Sequence, residues 1–348
     1  KMARIVVAGG NYTGLNAMRY LYAALLAGPE PANVQITMVD RRDGFLHFIG
    51  MTRGLTEPDY GEQLWVPYSA SPWLQHPQIA IKHDMVVNID DTRVELGSGE
   101  QLEFDYLIIA LGVSRFAPIG VQSRTKAEFL RELAETHGEL VKAQSVAVVG
   151  GGAVGIEMAA DLKADFPSKH VSLVHSRPKL LPGPFTDELR DHVADIMANR
   201  LGVDLVLGSR VADQEPKSQD MLEYGGIPEF ARATATDVTM TLSDGSSLHY
   251  DYAIRCLGIR DHRAIINLPP SSSASEPIFG PSGLRVRATM QLDDDRFPHI
   301  YACGDICDHY KVKLAGVGMH GAFIAARNIA RSILFPERGD LDHATQWP

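Results

Sequence analysis

The 348-residue sequence holds only three cysteines, Cys256, Cys303 and Cys307, and none of them makes a CxxC pair. An odd number without paired spacing excludes a disulfide-stapled scaffold and a dithiol reductant of the CxxC kind. Basic side chains are also short: 33 Lys and Arg stand against 43 Asp and Glu, a formal net charge of −10. That balance argues against a nucleic-acid binder or an anionic-membrane protein, both of which rely on clustered Lys and Arg. No uninterrupted apolar run approaches the ~20 residues of a membrane-spanning helix. A hydrophobic content of 45% and a mean hydropathy of −0.08 fit a soluble globular protein. No leader is visible ahead of the first apolar strand, so the expectation is a cytoplasmic protein, monomer or homodimer, with peripheral membrane contact left open. No metal site is expected.

What is present is one plan written twice. The apolar run Ala3 to Ala8 ends in Gly9-Gly10-Asn11-Tyr12-Thr13-Gly14 and is followed by a helical stretch, Leu15 to Leu26. Ser145 to Val149 repeats the strand, Gly150-Gly151-Gly152-Ala153-Val154-Gly155 the turn and Ile156 to Ala164 the helix, with Gly150 lying 141 residues after Gly9. Later, Phe104-Asp105-Tyr106 leads through Ala110 to Gly112, as Tyr250-Asp251-Tyr252 leads to Gly258. Strands alternating with helices imply parallel βαβ units, here two doubly wound Rossmann-like domains, the second inserted in the first. The seams fall at residues 116–122 and in the linker 268–282, giving a first domain of residues 1–118 and 280–348 and a second of 119–279. Residues 214–235 read as a polar insertion.

The glycine turns carry a mechanism. A pyrophosphate is bound by unpaired backbone N–H groups at the positive end of a helix, and glycines permit the tight turn and the close approach. Gly150, Gly152 and Gly155 fill all three positions of GxGxxG, between a strand and a helix as the motif requires. In the first turn Asn11 replaces the middle glycine, and its side-chain amide can donate to a phosphate. Asp40, ending the strand Ile36 to Asp40, is placed to accept hydrogen bonds from a ribose, with Arg41 next to it. The equivalent strand ends in His175, followed by Ser176 and Arg177. A missing acid and an added cation there suit the 2′-phosphate of NADPH. A third element, Ile300 to Asp305, delivers Gly304-Asp305, whose carboxylate suits the ribityl hydroxyls of a flavin, and a helix from Met319 to Leu334 aims its N-terminus at the same place.

Taken together, these residues resemble the two-dinucleotide-binding flavoprotein reductases, within the pyridine nucleotide-disulfide oxidoreductase superfamily. The branch most similar is that of ferroptosis suppressor protein and the apoptosis-inducing-factor-like proteins with their fungal relatives. The resemblance runs through Asp43 to His47 with Arg53, Val148 to Ala160, Val171 to Ser176, Tyr301 to Asp305, Lys313-Leu314-Ala315 and Asn328-Ile329. It implies FAD on the first unit and NADPH or NADH on the second. It also implies that Arg53 and Asp40 hold FAD, that Glu157 helps organise the nicotinamide site, and that Lys313 with Leu314 lies against the isoalloxazine. His47 and His320 read as ordinary structural histidines. Residues 41–60 lack the cysteine pair of the disulfide-reducing branch. The resemblance therefore implies an FAD-dependent NAD(P)H oxidoreductase of quinone-reductase type, passing electrons directly to a quinone-like or other small organic acceptor. Two other readings compete: a reductase of a small electron-carrier protein, and a redox-sensing flavoprotein with little turnover.

Overall fold

The computed structural model describes residues 1–212, 235–257, 262–269, 278–308 and 312–338. In chain order the first elements are β1 (Ala3–Ala8), α1 (Tyr12–Leu25), β2 (Val34–Asp40), α2 (Met51–Thr56), β3 (Ile79–His83) and β4 (Tyr106–Ile109). Then come α3 (Lys126–Lys142), β5 (Ser145–Val149), α4 (Ala153–Asp165), β6 (His170–His175), β7 (Asp204–Leu207), β8 (Ala235–Thr241) and β9 (Ser247–Arg255). The last are β10 (Ile300–Ala302) and α5 (Ala315–Leu334).

The first compact unit takes in Lys1–Phe45, Val66–Val113 and Asp261–Pro348. Its sheet has the order β10-β4-β1-β2-β3, every pair parallel. Because β1 lies between β2 and β4, the strand order reverses beside it, which opens a crevice at its carboxyl end where ligands of such sheets bind. A strand buried on both faces must be apolar throughout, and β1 is: Ile5 and Val7 pack with Ala17, Met18, Leu21, Ala325 and Ile329 beneath the helices α1 and α5. Val6 and Ala8 face the opposite side with Leu107, Ile109 and Ile300.

The second unit takes in Leu46–Trp65 and Ser114–Arg260, with the sheet order β7-β6-β5-β9-β8. Here the edge strand β8 runs antiparallel to β9, and the other pairs are parallel. Residues 46–65 are expected in the first domain from the sequence, whereas the structure groups Leu46–Trp65 with the second unit, for a packing reason. Met51, Leu55, Leu64 and Trp65 are buried in one core with Phe129 and Leu133 of α3 and Met158 and Leu162 of α4.

The repeated aspartates tie strands together at their starts. Asp105 accepts the Arg4 N–H at 2.8 Å, and Asp251 accepts those of Gln144 and Ser145 at 2.7 and 2.8 Å. Desolvation works against the Asp105 carboxylate, but hydrogen bonds from Lys1 and Arg4 prevail and hold its pKa down to about 2. Each helix begins ahead of the sequence expectation. α1 starts at Tyr12, α4 at Ala153 and α5 at Ala315, because their first turns are built from the glycine-turn residues or, for α5, from the segment after Leu314. Residues 214–234, part of the linker 268–282 and Gly258 lie outside the described residues. Among the described residues, no helix is long and apolar enough to cross a membrane, and no group of His, Cys, Asp and Glu could hold a metal ion.

Candidate functional site

The two glycine turns match atom for atom at their tightest points. Gly9 and Gly150 have φ of +103° and +121°, and a Cβ on either would lie 2.4 Å from a carbonyl oxygen, that of Ala110 or of Cys256. Only glycine holds such a position without strain. Gly14 and Gly155 are set by close approach instead: a Cβ would meet the Gly9 oxygen at 1.6 Å and the Gly150 oxygen at 1.8 Å. The helix can then sit directly against the strand end, and its first N–H groups converge over the crevice.

A side chain from the next strand braces each turn. Asp40 is buried and accepts the Gly10 N–H at 2.6 Å and the Arg42 N–H at 2.7 Å. The Tyr68 hydroxyl donates to the Gly10 carbonyl at 3.0 Å, and burial followed by the Asp40 charge pushes its pKa well above the usual phenol value. In the second unit His175 takes the place of Asp40, accepting the Gly151 N–H on Nδ1 at 3.1 Å. Ser176 and Arg177 follow it and are exposed. Asp40 and His175 therefore act first on their own turns. Asn11 likewise serves its helix: its side-chain oxygen accepts the Tyr12 N–H at 2.8 Å as the N-cap of α1.

Thr13 is where the first turn meets two later segments. A Cβ on Gly304 or on Gly318 would lie 2.6 Å from the Thr13 Oγ1, so the end of β10, the first turn and α5 close on one another without intervening side chains. Asp305 follows directly, partly exposed. Leu314 is the N-cap of α5 and is exposed, and no side chain caps that helix. The Lys313 ammonium donates to the carbonyls of Cys307 and Ser282, so it braces the loop between β10 and α5. Gly112 has φ of +66° with open space around it, just beyond the end of β4.

In the second unit, Glu157 and Asp161 stand one turn apart on α4. Both have raised pKa values, Glu157 through desolvation and then Asp161, Asp161 chiefly through desolvation. The Arg115 guanidinium offsets part of the first shift, and the Thr52 hydroxyl of α2 hydrogen bonds to Asp161 and offsets part of the second. Arg53 lies on α2 in this unit, paired with Glu57 at 3.0 Å and stacked over the Tyr60 ring. Tyr68, Asp161, Thr52 and Arg115 belong to no motif of the sequence. Asp161 alone had a local signal, its four-residue spacing from Glu157.

All three cysteines are free thiols. Burial pushes the pKa of Cys256 and of Cys303 up to about 12 and that of Cys307 well above the usual thiol value. Such groups are protonated at neutral pH and are poor nucleophiles.

A family model described as pyridine nucleotide-disulphide oxidoreductase matches residues 3–322. The chain is 31% identical to oxidoreductase OXR1 of Ajellomyces capsulatus, the match covering 95% of this chain and 74% of that protein. It is 28% identical to ferroptosis suppressor protein 1 of Mus musculus, over 94% of this chain and 80% of that one. Among solved structures, a NAD-dependent persulfide reductase from A. fulgidus shares the fold, with a TM-score of 0.69 at 20% identity. That similarity covers 94% of this chain but only 59% of the reductase.

Proposed function

From the premise that this chain belongs to the pyridine nucleotide-disulphide oxidoreductase family and is an NAD(P)H-dependent flavoprotein oxidoreductase, we propose that it reduces a quinone-like or other small organic acceptor without a redox disulfide. In this reading the turn Gly9 to Gly14, with Asp40, Arg41, Gly304 and Asp305, holds FAD. The turn Gly150 to Gly155, with His175, Ser176 and Arg177, holds NADPH or NADH. The observation that carries it is the match between the two turns, each with a positive-φ glycine, a helix against the strand end and a bracing side chain.

The residues present fit these groups. Among the described residues no side chain caps α4 and nothing lies within 4 Å of a Cβ placed at Gly152, which leaves room at the helix N-terminus for a pyrophosphate. When bound, the two cofactors supply hydride transfer from the nicotinamide to the flavin and onward delivery of electrons. The chain's own groups position and polarise. Asp40 fixes the first turn, Asp305 offers a carboxylate beside it, and α5 presents the positive end of its dipole, which favours negative charge. Glu157, with its pKa raised, stays close to the nucleotide turn and can hold or release a proton nearer neutrality than an ordinary carboxyl. The three thiols, with pKa values raised by burial, are poor nucleophiles at neutral pH, which supports direct transfer.

A cleft of about 410 Å³ in the first unit, between α1 and α5, supports the acceptor class. It is lined by Asn16, Arg19, Tyr20, Met319, His320 and Phe323, which combine aromatic faces and a thioether with hydrogen-bond donors. That mixture suits a planar ring bearing oxygen acceptors. The test is an acceptor panel on the purified protein: NADPH or NADH oxidation with quinones, ferricyanide, oxygen and small iron–sulfur carriers. Turnover with quinones that survives thiol alkylation is the expected result. Turnover only with a protein carrier would make the chain a carrier reductase, and a long-lived reduced flavin with every acceptor would make it a sensor.

A further inference from the structure

His175 is the one group at either turn whose bracing role depends on its protonation near neutral pH. It ends β6, is 8% exposed, and its Nδ1 accepts the Gly151 N–H at 3.1 Å. A ring nitrogen that accepts carries no hydrogen, so the neutral ring bears its hydrogen on Nε2. That Nε2 is buried and has no hydrogen-bond partner among the described residues. The first unit makes the same bond with another chemistry: Asp40, at the end of β2, accepts the Gly10 N–H at 2.6 Å.

We propose that His175 is the positioning residue of the second glycine turn and serves only as neutral imidazole, so that NAD(P)H-site binding fails in acid while flavin retention does not. This rests on the reading of the second turn as the NAD(P)H site. A proton added to the ring must go to Nδ1, where it would face the Gly151 N–H, donor against donor. The ring has no free play that would relieve this. A Cβ on Gly151 would lie 2.7 Å from the His175 Cγ and 2.7 Å from the Leu180 Cδ2, so imidazole, turn backbone and Leu180 are packed together. Moving the ring moves Gly151, and with it the turn between Gly150 and Gly155. At the first turn the Gly10 N–H ends instead on a carboxylate oxygen of Asp40, which carries no N–H to oppose it.

Among the described residues, four are placed against the imidazole or beside it in register. Gly151 faces it from the turn, Leu180 and Arg177 from the segment after β6, and Leu207 lies opposite it in register on β7. Of these only Arg177 is charged. Burial first, and then Arg177, lower the imidazole pKa from its ordinary value. The sign follows: the neutral form is fully present above about 6.5, the unfolded value, and is lost as pH falls through the depressed value.

The experiment uses the FAD-loaded full chain in its oxidised state, with NAD⁺ as probe because it is not consumed and lacks the titrating 2′-phosphate. Calorimetric titrations from pH 8 to pH 5 should give a constant Kd above pH 7. Below the imidazole pKa the Kd should rise toward about tenfold per pH unit, with flavin still bound. His175→Asn, whose Oδ1 replaces Nδ1 without titrating, should bind NAD⁺ with a flat profile. In the wild-type protein, ¹⁵N shifts of the imidazole should report the Nε2–H tautomer, a reading that needs no variant. A hydrogen found on Nδ1, or NAD⁺ binding that stays tight at a pH where the ¹⁵N shifts show the imidazole protonated, overturns the inference alone. No NAD⁺ binding at any pH overturns the reading of the second turn and the inference with it.

Discussion

A methyl group placed at Gly155 or at Gly152 should separate folding from binding at the second turn. At Gly155 the new carbon would lie 1.8 Å from the Gly150 oxygen, a backbone atom fixed by the Gly150 N–H bond to Val174 at 2.8 Å. Neither side can yield as a flexible side chain would, so Gly155→Ala should destabilise the protein by about 1–3 kcal/mol, the usual range for overpacking. Gly152 is the opposite case, with φ −80°, ψ 179° and nothing within 4 Å of an added Cβ. Alanine adopts that conformation freely. Its poorer N-cap preference costs up to about 1 kcal/mol and is partly offset by a less flexible unfolded chain. Gly152→Ala should therefore unfold within about 1 kcal/mol of the parent. It should nevertheless lose a charge-assisted contact to the pyrophosphate of about 1.5–3 kcal/mol, or roughly 10- to 100-fold in Kd. Guanidinium unfolding midpoints and NAD⁺ titration read the two effects separately. Gly152→Ala binding NAD⁺ within twofold of the parent would show that no pyrophosphate lies over that residue.

Asp40→Asn keeps one acceptor but turns an amide N–H toward either Gly10 or Arg42, so flavin retention measured by ultrafiltration should fall at least tenfold, and unchanged retention would refute the bracing role. Replacing Cys256, Cys303 and Cys307 together by Ala should leave flavin reduction and acceptor turnover intact while lowering stability, because Cys303 and Cys307 are buried, Cys256 is half-buried and all three are protonated; normal flavin reduction with lost turnover would put a thiol on the electron path. Arg177→Ala should raise KM for NADPH about tenfold more than for NADH if one charge-assisted contact is lost, whereas equal effects would place Arg177 away from the 2′-phosphate.

Both turns are legible in the sequence because their spacing is local: Gly14 and Gly155 answer to Gly9 and Gly150 five residues back, although Gly9 and Gly150 also meet Ala110 and Cys256 about a hundred residues on. The repeated aspartates Asp105 and Asp251 are visible as a motif, but their work at the strand starts is not, since their partners lie about a hundred residues earlier. Tyr68 carries no local mark for the same reason: its bond to Gly10 spans 58 residues. The placement of Leu46–Trp65 with the second unit was hidden too. Its short apolar elements fit either core, and only the complementary faces of α3 and α4 decide between them.

The threading of the chain also sets an order of assembly during synthesis. Every described strand of the second sheet has been synthesised by Arg255, whereas the first sheet lacks β10, and its covering face lacks α5, until residue 334. The amino-terminal turn is made first yet is among the last parts to be enclosed. Chains usually consolidate from their beginning as they emerge; this one completes its middle first. Through that interval the apolar faces of β1, β2 and α1 wait for partners nearly 300 residues downstream. Such uncovered apolar surface at the amino-terminal sheet is the kind that favours aggregation.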